Sequence, residues 1–245
     1  EFTGNDSVSA TNVGTYDMEL KSEDFKNTNG NFSKVTFVVV DGQLTITPKS
    51  VDPEAGKGMS VGKLPHITYN GKSQKQKPEV KDGNTLLTEG TDYTLSYSED
   101  TTNVGTVTVT VEGKGNYAGE AEVTYEILKR QVTLESASAS KVYDGTPLTK
   151  PEVTVGGDGF VEGEVSGLKA IGTVTNVADG EVDNEIVWDW AEGFGEGNYD
   201  ITKTEGKLSI EPQSVDPDNP ESYTGIKVGE LSDLLYKGKG QFQEH

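Results

Sequence analysis

No cysteine occurs among the 245 residues, so disulfide staples and cysteine-based metal or redox sites are excluded, and the redox compartment is left open. Histidine is almost as scarce. His66 and the last residue, His245, are the only two, which leaves no material for a His-dependent triad or a multi-His metal site. Long apolar runs are missing: the most continuous, residues 35–40, has the length of one strand, against the about 20 residues of a membrane-spanning helix. The start at Glu1 carries neither the basic region nor the apolar block of a signal peptide, so targeting signals are expected to lie outside these residues. Positive charge is thin, with 21 Lys and Arg against 41 Asp and Glu, and residues 129–212 alone hold 7 basic and 16 acidic side chains. Such a surface repels phosphates and anionic lipid headgroups, which argues against nucleic acid and membrane insertion and for a solvated, self-repelling exterior. With 32% hydrophobic residues and 30 glycines, several small cores suit the chain better than one large one.

What is present is repetition. Thr-Asn-Val occurs at residues 11–13, 102–104 and 175–177, and each copy is followed by an alternating apolar segment and then by Gly-Asn-aromatic at 30–32, 115–117 and 197–199. A longer period is superimposed: Ser50-Val51-Asp52-Pro53 returns 164 residues later as Ser214-Val215-Asp216-Pro217. Tyr-x-Gly turns at Tyr69 and Tyr143, each followed by Pro-Glu-Val, mark the openings of two related modules. The organisation expected is a closing half-module over 1–48, a linker over 49–59, full modules over 60–128 and 129–212, and a linker with the opening strands of a next module over 213–245. Arrays of this kind are usually selected for reach and valency rather than bond-making chemistry.

Period-2 alternation predicts the strands. One face carries Tyr16/Met18/Leu20, Val107/Val109/Val111 or Ile186/Trp188/Trp190. Residues 35–40, Asp41-Gly42 and Leu44/Ile46 read as a hairpin in which Asp-Gly supplies positive φ, and Tyr199/Ile201, Glu205-Gly206 and Leu208/Ile210 read the same way. Further strands are expected around residues 67–69, 93–97, 132–134 and 153–155. Six to eight short strands per module indicate an all-β, compact antiparallel sandwich.

Candidate sites are few. Carboxylates abound, but a glycosidase needs two held about 5 to 10 Å apart in a cleft, and an acid-rich chain supplies such pairs by chance. Trp188-Asp189-Trp190 resembles a sugar-stacking platform, yet its alignment with Met18/Leu20 and Val109/Val111 favours inward, structural indoles. Asp216-Pro217-Asp218-Asn219 lacks the alternation and terminal Glu of a calcium loop and reads as an acidic linker. Lys72, Lys75, Lys77 and Lys81 stand out against the acidic background, either as protection for an edge strand, the favoured reading, or as a surface for an acidic partner. Tyr223, Lys227 and Leu231 lie in the second of two inter-module joints, residues 52–64 and 216–231, and complete the candidate partner-binding set.

The segment from Lys141 to Leu148 with Tyr143-Asp144-Gly145, the later Thr-Asn-Val, Asn198-Tyr199-Asp200-Ile201-Thr202 and the closing Leu208-to-Pro212 resemble the MBG-type immunoglobulin-like repeats of large Gram-positive surface proteins. Residues 67–78, Glu89-Gly90-Thr91-Asp92-Tyr93 and 113–117 are similar to a sister repeat that alternates with it. The resemblance implies tandem immunoglobulin-like β-sandwich modules forming an elongated rod on the surface of gut-type bacteria, secreted or wall-anchored. It further implies a non-catalytic adhesin without cofactor, with host immunoglobulin as the first partner expected, bound through a framework surface, and mucin glycoprotein as the second. A stalk that only spaces a distal domain from the cell wall is the rival reading.

Overall fold

The structure, a computed structural model, describes residues 1–52 and 59–214. The chain divides into two compact units, Glu1–Lys129 and Arg130–His245. Both are built of β-strands, and among the described residues there is no α-helix, nor any helix long and apolar enough to cross a membrane.

The first unit contains β1 (Gly14–Asp17), β2 (Gln43–Ile46), β3 (Lys49–Ser50), β4 (Met59–Val61), β5 (Ile67–Thr68), β6 (Val80–Asp82), β7 (Thr85–Leu86), β8 (Tyr93–Tyr97), β9 (Gly105–Gly113), β10 (Tyr117–Ala118) and β11 (Glu120–Leu128). Its main sheet has the order β5-β11-β9-β8, and a second has the order β4-β6-β7. The alternation written into β9 sends Val107, Val109 and Val111 inward, none more than 1% exposed. Val51, Met59, Val80, Leu87, Tyr93 and Val111 form one buried cluster drawn from both sheets. Val51 follows β3, which pairs in parallel with β10, so residues 49–51, assigned on sequence grounds to an inter-module linker, are built into this core.

The second unit contains β12 (Arg130–Ser136), β13 (Ala139–Val142), β14 (Leu148–Thr149), β15 (Val153–Gly157), β16 (Val165–Ala170), β17 (Thr173–Val174), β18 (Val182–Asp183), β19 (Ile186–Trp190), β20 (Tyr199–Thr204) and β21 (Lys207–Glu211). One sheet has the order β15-β12-β20 and another β13-β21-β18. Leu148, Val174, Leu208 and Ile210 form a buried cluster in it, with Ala139 and Val182 packed against that cluster.

Both expected hairpins are absent. β20 pairs in parallel with β12, while β21 pairs in parallel with β13 and antiparallel with β18, so Glu205-Gly206 carries the chain from one sheet to another. Gly206 does not adopt positive φ; it is required because a Cβ there would meet the Ala137 carbonyl carbon at 2.3 Å. Residues 35–40 form no strand, and β2 pairs with β1. At Glu205-Gly206 the local turn signal is outweighed by ladder partners about 70 residues away, and the resulting sheets mix parallel with antiparallel pairs.

Candidate functional site

The lysine-rich stretch does not line an edge strand. Residues 72–79 join no ladder, and Lys81 lies in β6, the central strand of its sheet. The stretch is pinned instead by hydrogen bonds. The Gln74 amide donates to the Thr101 carbonyl at 2.8 Å, and the hydroxyls of Tyr97 and Tyr125 donate to the carbonyls of Gln76 and Gln74 at 2.9 and 2.5 Å. Lys77 pairs with Glu89 at 2.7 Å, which raises the ammonium above its ordinary pKa, chiefly through that hydrogen bond. Lys81 pairs with Glu79, and the Lys75 ammonium stands 5.2 Å from the Tyr97 ring centroid. Among the described residues Lys72 has no ion-pair partner, so the four lysines do not form one uncommitted cationic surface. Tyr223, Lys227, Leu231, the 216–231 joint and Asp216-Pro217-Asp218-Asn219 lie outside the described residues.

Trp188 and Trp190 are half-buried and packed into an aromatic cluster with Phe160 and Tyr199. Their rings are 6.3 Å apart at 81°, and Phe160 meets Trp190 edge-on at 5.8 Å, so the indoles use one another's surfaces and present no coplanar pair to a sugar. The alignment that equated Trp188/Trp190 with Met18/Leu20 is corrected by backbone geometry. The amides of Met18 and Asn184 donate to the carbonyls of Gly42 and Gly206, each at 2.8 Å, and the amides two residues further on, those of Leu20 and Ile186, donate to the carboxylates of Asp41 and Glu205, each at 3.0 Å. Leu20 is therefore the counterpart of Ile186.

Thr-Asn-Val proves to be an anchored turn. Asp100 Oδ1 accepts the amides of Thr102 and Asn103 at 2.8 and 3.0 Å, while Asp179 Oδ2 accepts those of Thr175 and Asn176 at 3.4 and 2.8 Å. These backbone donors hold both carboxyls below the usual range, with the amides of Asn103 and Asn176 contributing most. In the first copy, Asn116 of the Gly-Asn-Tyr signature substitutes for the aspartate, accepting from the Val13 amide at 2.8 Å and donating to Asn12 Oδ1 at 3.1 Å.

Sequence reasoning missed Asn184, which is wholly buried. Its side-chain nitrogen donates to the carbonyls of Ala137 and Lys150 at 3.1 and 2.9 Å, and its Oδ1 accepts the Gly172 amide at 3.1 Å. Nothing in its local pattern distinguishes it from a loop asparagine, because its three partners come from segments 12 to 47 residues away.

His66 is exposed, and its Nδ1 accepts the Glu126 amide at 3.0 Å. Among the described residues no cluster of His, Asp and Glu is arranged to hold a metal ion. A depression over β13 and β21, with Ser138, Ser140, Glu181 and Lys207 on its rim, is shallow and open to solvent. Another, beside Phe25, Val35 and Phe37, is equally open. No protein-family model, curated protein or solved structure matches this chain.

Proposed function

We propose that the chain is a non-catalytic repeat region of a bacterial cell-surface adhesin, made of MBG-type immunoglobulin-like sandwiches in tandem, that binds host immunoglobulin through a framework surface. The observation that carries this reading is the recurrence of one arrangement in both units: the strand opening on Tyr117 or Tyr199 lies parallel to the strand that begins the unit's core, β3 or β12. Repetition of one scaffold multiplies a weak contact into avidity without new chemistry. A fixed module cannot follow hypervariable loops, so the partner surface is one shared by many antibodies. Surface-plasmon measurements on the whole chain against pooled polyclonal immunoglobulin and against mucin test it, and micromolar binding to immunoglobulin is the expected result. Silence toward both leaves the stalk reading, which is favoured by a specific observation: Lys77 and Lys81 are already engaged by acids of their own unit, and the aromatic cluster is engaged with itself.

A further inference from the structure

Residues 35–46 and the stretch from 199 to 211 share a local architecture with one difference. Tyr16 faces Leu44 in the β1–β2 ladder as Val182 faces Leu208 in the β18–β21 ladder. Counting back from Asp41-Gly42 and Glu205-Gly206, Val35 and Phe37 take the places of Tyr199 and Ile201, so the stretch between Gly-Asn-Phe at 30–32 and Asp41 is three residues longer than that between Gly197-Asn198-Tyr199 and Glu205. In the second unit β20 and β21 each have a parallel neighbour, β12 and β13, supplied by residues 130–142. Against residues 35–46 those two places are empty among the described residues: residues 34–42 join no ladder, and β2 pairs with β1 alone.

The exposed surface is that of an unfinished sheet. Val38 and Val40 are 90% and 89% exposed and Val35 is 41% exposed, in a run of β-branched and aromatic residues that has strong strand preference. At Gly206 the space above Cα is filled by the backbone of Ala137 and Ser138; at Gly42 it holds only the Met18 side chain, whose Sδ would lie 2.4 Å from a Cβ. Methionine is flexible enough to swing away when a backbone arrives.

We propose that residues 35–46 are an acceptor for the opening segment of another repeat, one with the chemistry of residues 130–142. It would dock as two parallel strands, the first beside residues 35–40 and the second beside β2, with positions equivalent to Val132 and Leu134 turned into the core. The occupant follows from the internal repeat, since that is the segment which completes the same architecture in the second unit. This inference is independent of the ligand, because it concerns how repeats join.

The test is amide hydrogen exchange on the whole chain with a synthetic peptide of residues 130–142, and on a chain carrying that segment fused to its N-terminus by a flexible Gly/Ser linker, which raises its effective concentration to the millimolar range. Exchange in residues 35–46 is expected to slow by about tenfold or more. A scrambled peptide should give no protection. Adjacent amides of an extended strand point to opposite edges, so one of the separate variants Val38→Pro and Val39→Pro must remove a ladder donor and abolish protection, with both units melting as in the parent. Absence of protection in the fused chain overturns the proposal. So does equal protection by the scrambled peptide, or concentration-dependent protection of the unfused chain that the peptide does not displace, which would mean that the segment pairs with itself.

Discussion

The Tyr199 hydroxyl donates to Glu164 at 2.6 Å inside the second unit, and the Tyr117 hydroxyl donates to Asp82 at 3.3 Å in the first, each pair separated by 35 residues. Tyr199 begins β20, which runs parallel to β12, and Tyr117 begins β10, which runs parallel to β3, so each phenol ties a strand with a parallel neighbour to an acid elsewhere in the fold. Glu164 is only 3% exposed, whereas Asp82 is more accessible and is also paired with Lys49.

The two phenol-acid contacts should therefore differ in worth. Tyr199→Phe removes a hydrogen bond to a buried carboxyl, and also the acceptor of the Val161 amide, at a cost of about 1.5 to 3 kcal/mol. Tyr117→Phe should cost about 0.5 to 1.5 kcal/mol. Calorimetric melts of the two variants check the order; equal shifts would contradict it.

Asn184→Ala should be among the most damaging substitutions in the second unit. It strips partners from the Ala137 and Lys150 carbonyls and the Gly172 amide and leaves a cavity, costing about 3 kcal/mol. Gly206→Ala, which drives a methyl into the Ala137 backbone, should cost about 1 to 3 kcal/mol, whereas Gly42→Ala meets only a movable Met18 side chain and should cost about 1 kcal/mol or less. Denaturant midpoints of the three variants measure this, and a Gly42 variant as unstable as the Gly206 variant would show that the two sites are packed alike.

Trp190→Ala should lower stability by about 2 to 4 kcal/mol, since the indole packs on both Phe160 and Tyr199. Binding of glycans on an array should be unchanged by Trp188→Ala or Trp190→Ala. Loss of a glycan signal with unaltered melting would restore the stacking platform.

Acid should loosen the turns. The carboxyls of Asp100, Asp179 and Glu205 are held below their ordinary values of 3.8, 3.8 and 4.5 by backbone donors, those of Asn103, Asn176 and Ile186 foremost. A depressed folded-state pKa stabilises the fold above the unfolded value, and that contribution is lost as pH falls through the folded one. Stability is thus expected to be flat at neutral pH and to decline once pH drops below about 4.5. Carboxyl titration by NMR should place these three midpoints below those ordinary values, and Glu205→Gln should remove part of the acid sensitivity of the second unit.

The sequence by itself determined the all-β character and much of the inward pattern. A period of two at Val107/Val109/Val111 and at Val132/Leu134 is a local property of an extended backbone and needs no knowledge of the partner. It also disclosed the repetition, because the second and third Thr-Asn-Val copies are turns anchored by an aspartate within four residues. Only the tertiary structure decided which edges meet. Glu205-Gly206 carries a local turn signal, yet β20 and β21 part company there because β12 and β13, some 70 residues earlier, offer each its own ladder. The same is true of Asn184 and of the lysines: an amide or an ammonium on a polar loop looks alike in every sequence context. Its role is set by which carbonyl or carboxylate the folded chain brings within about 3 Å.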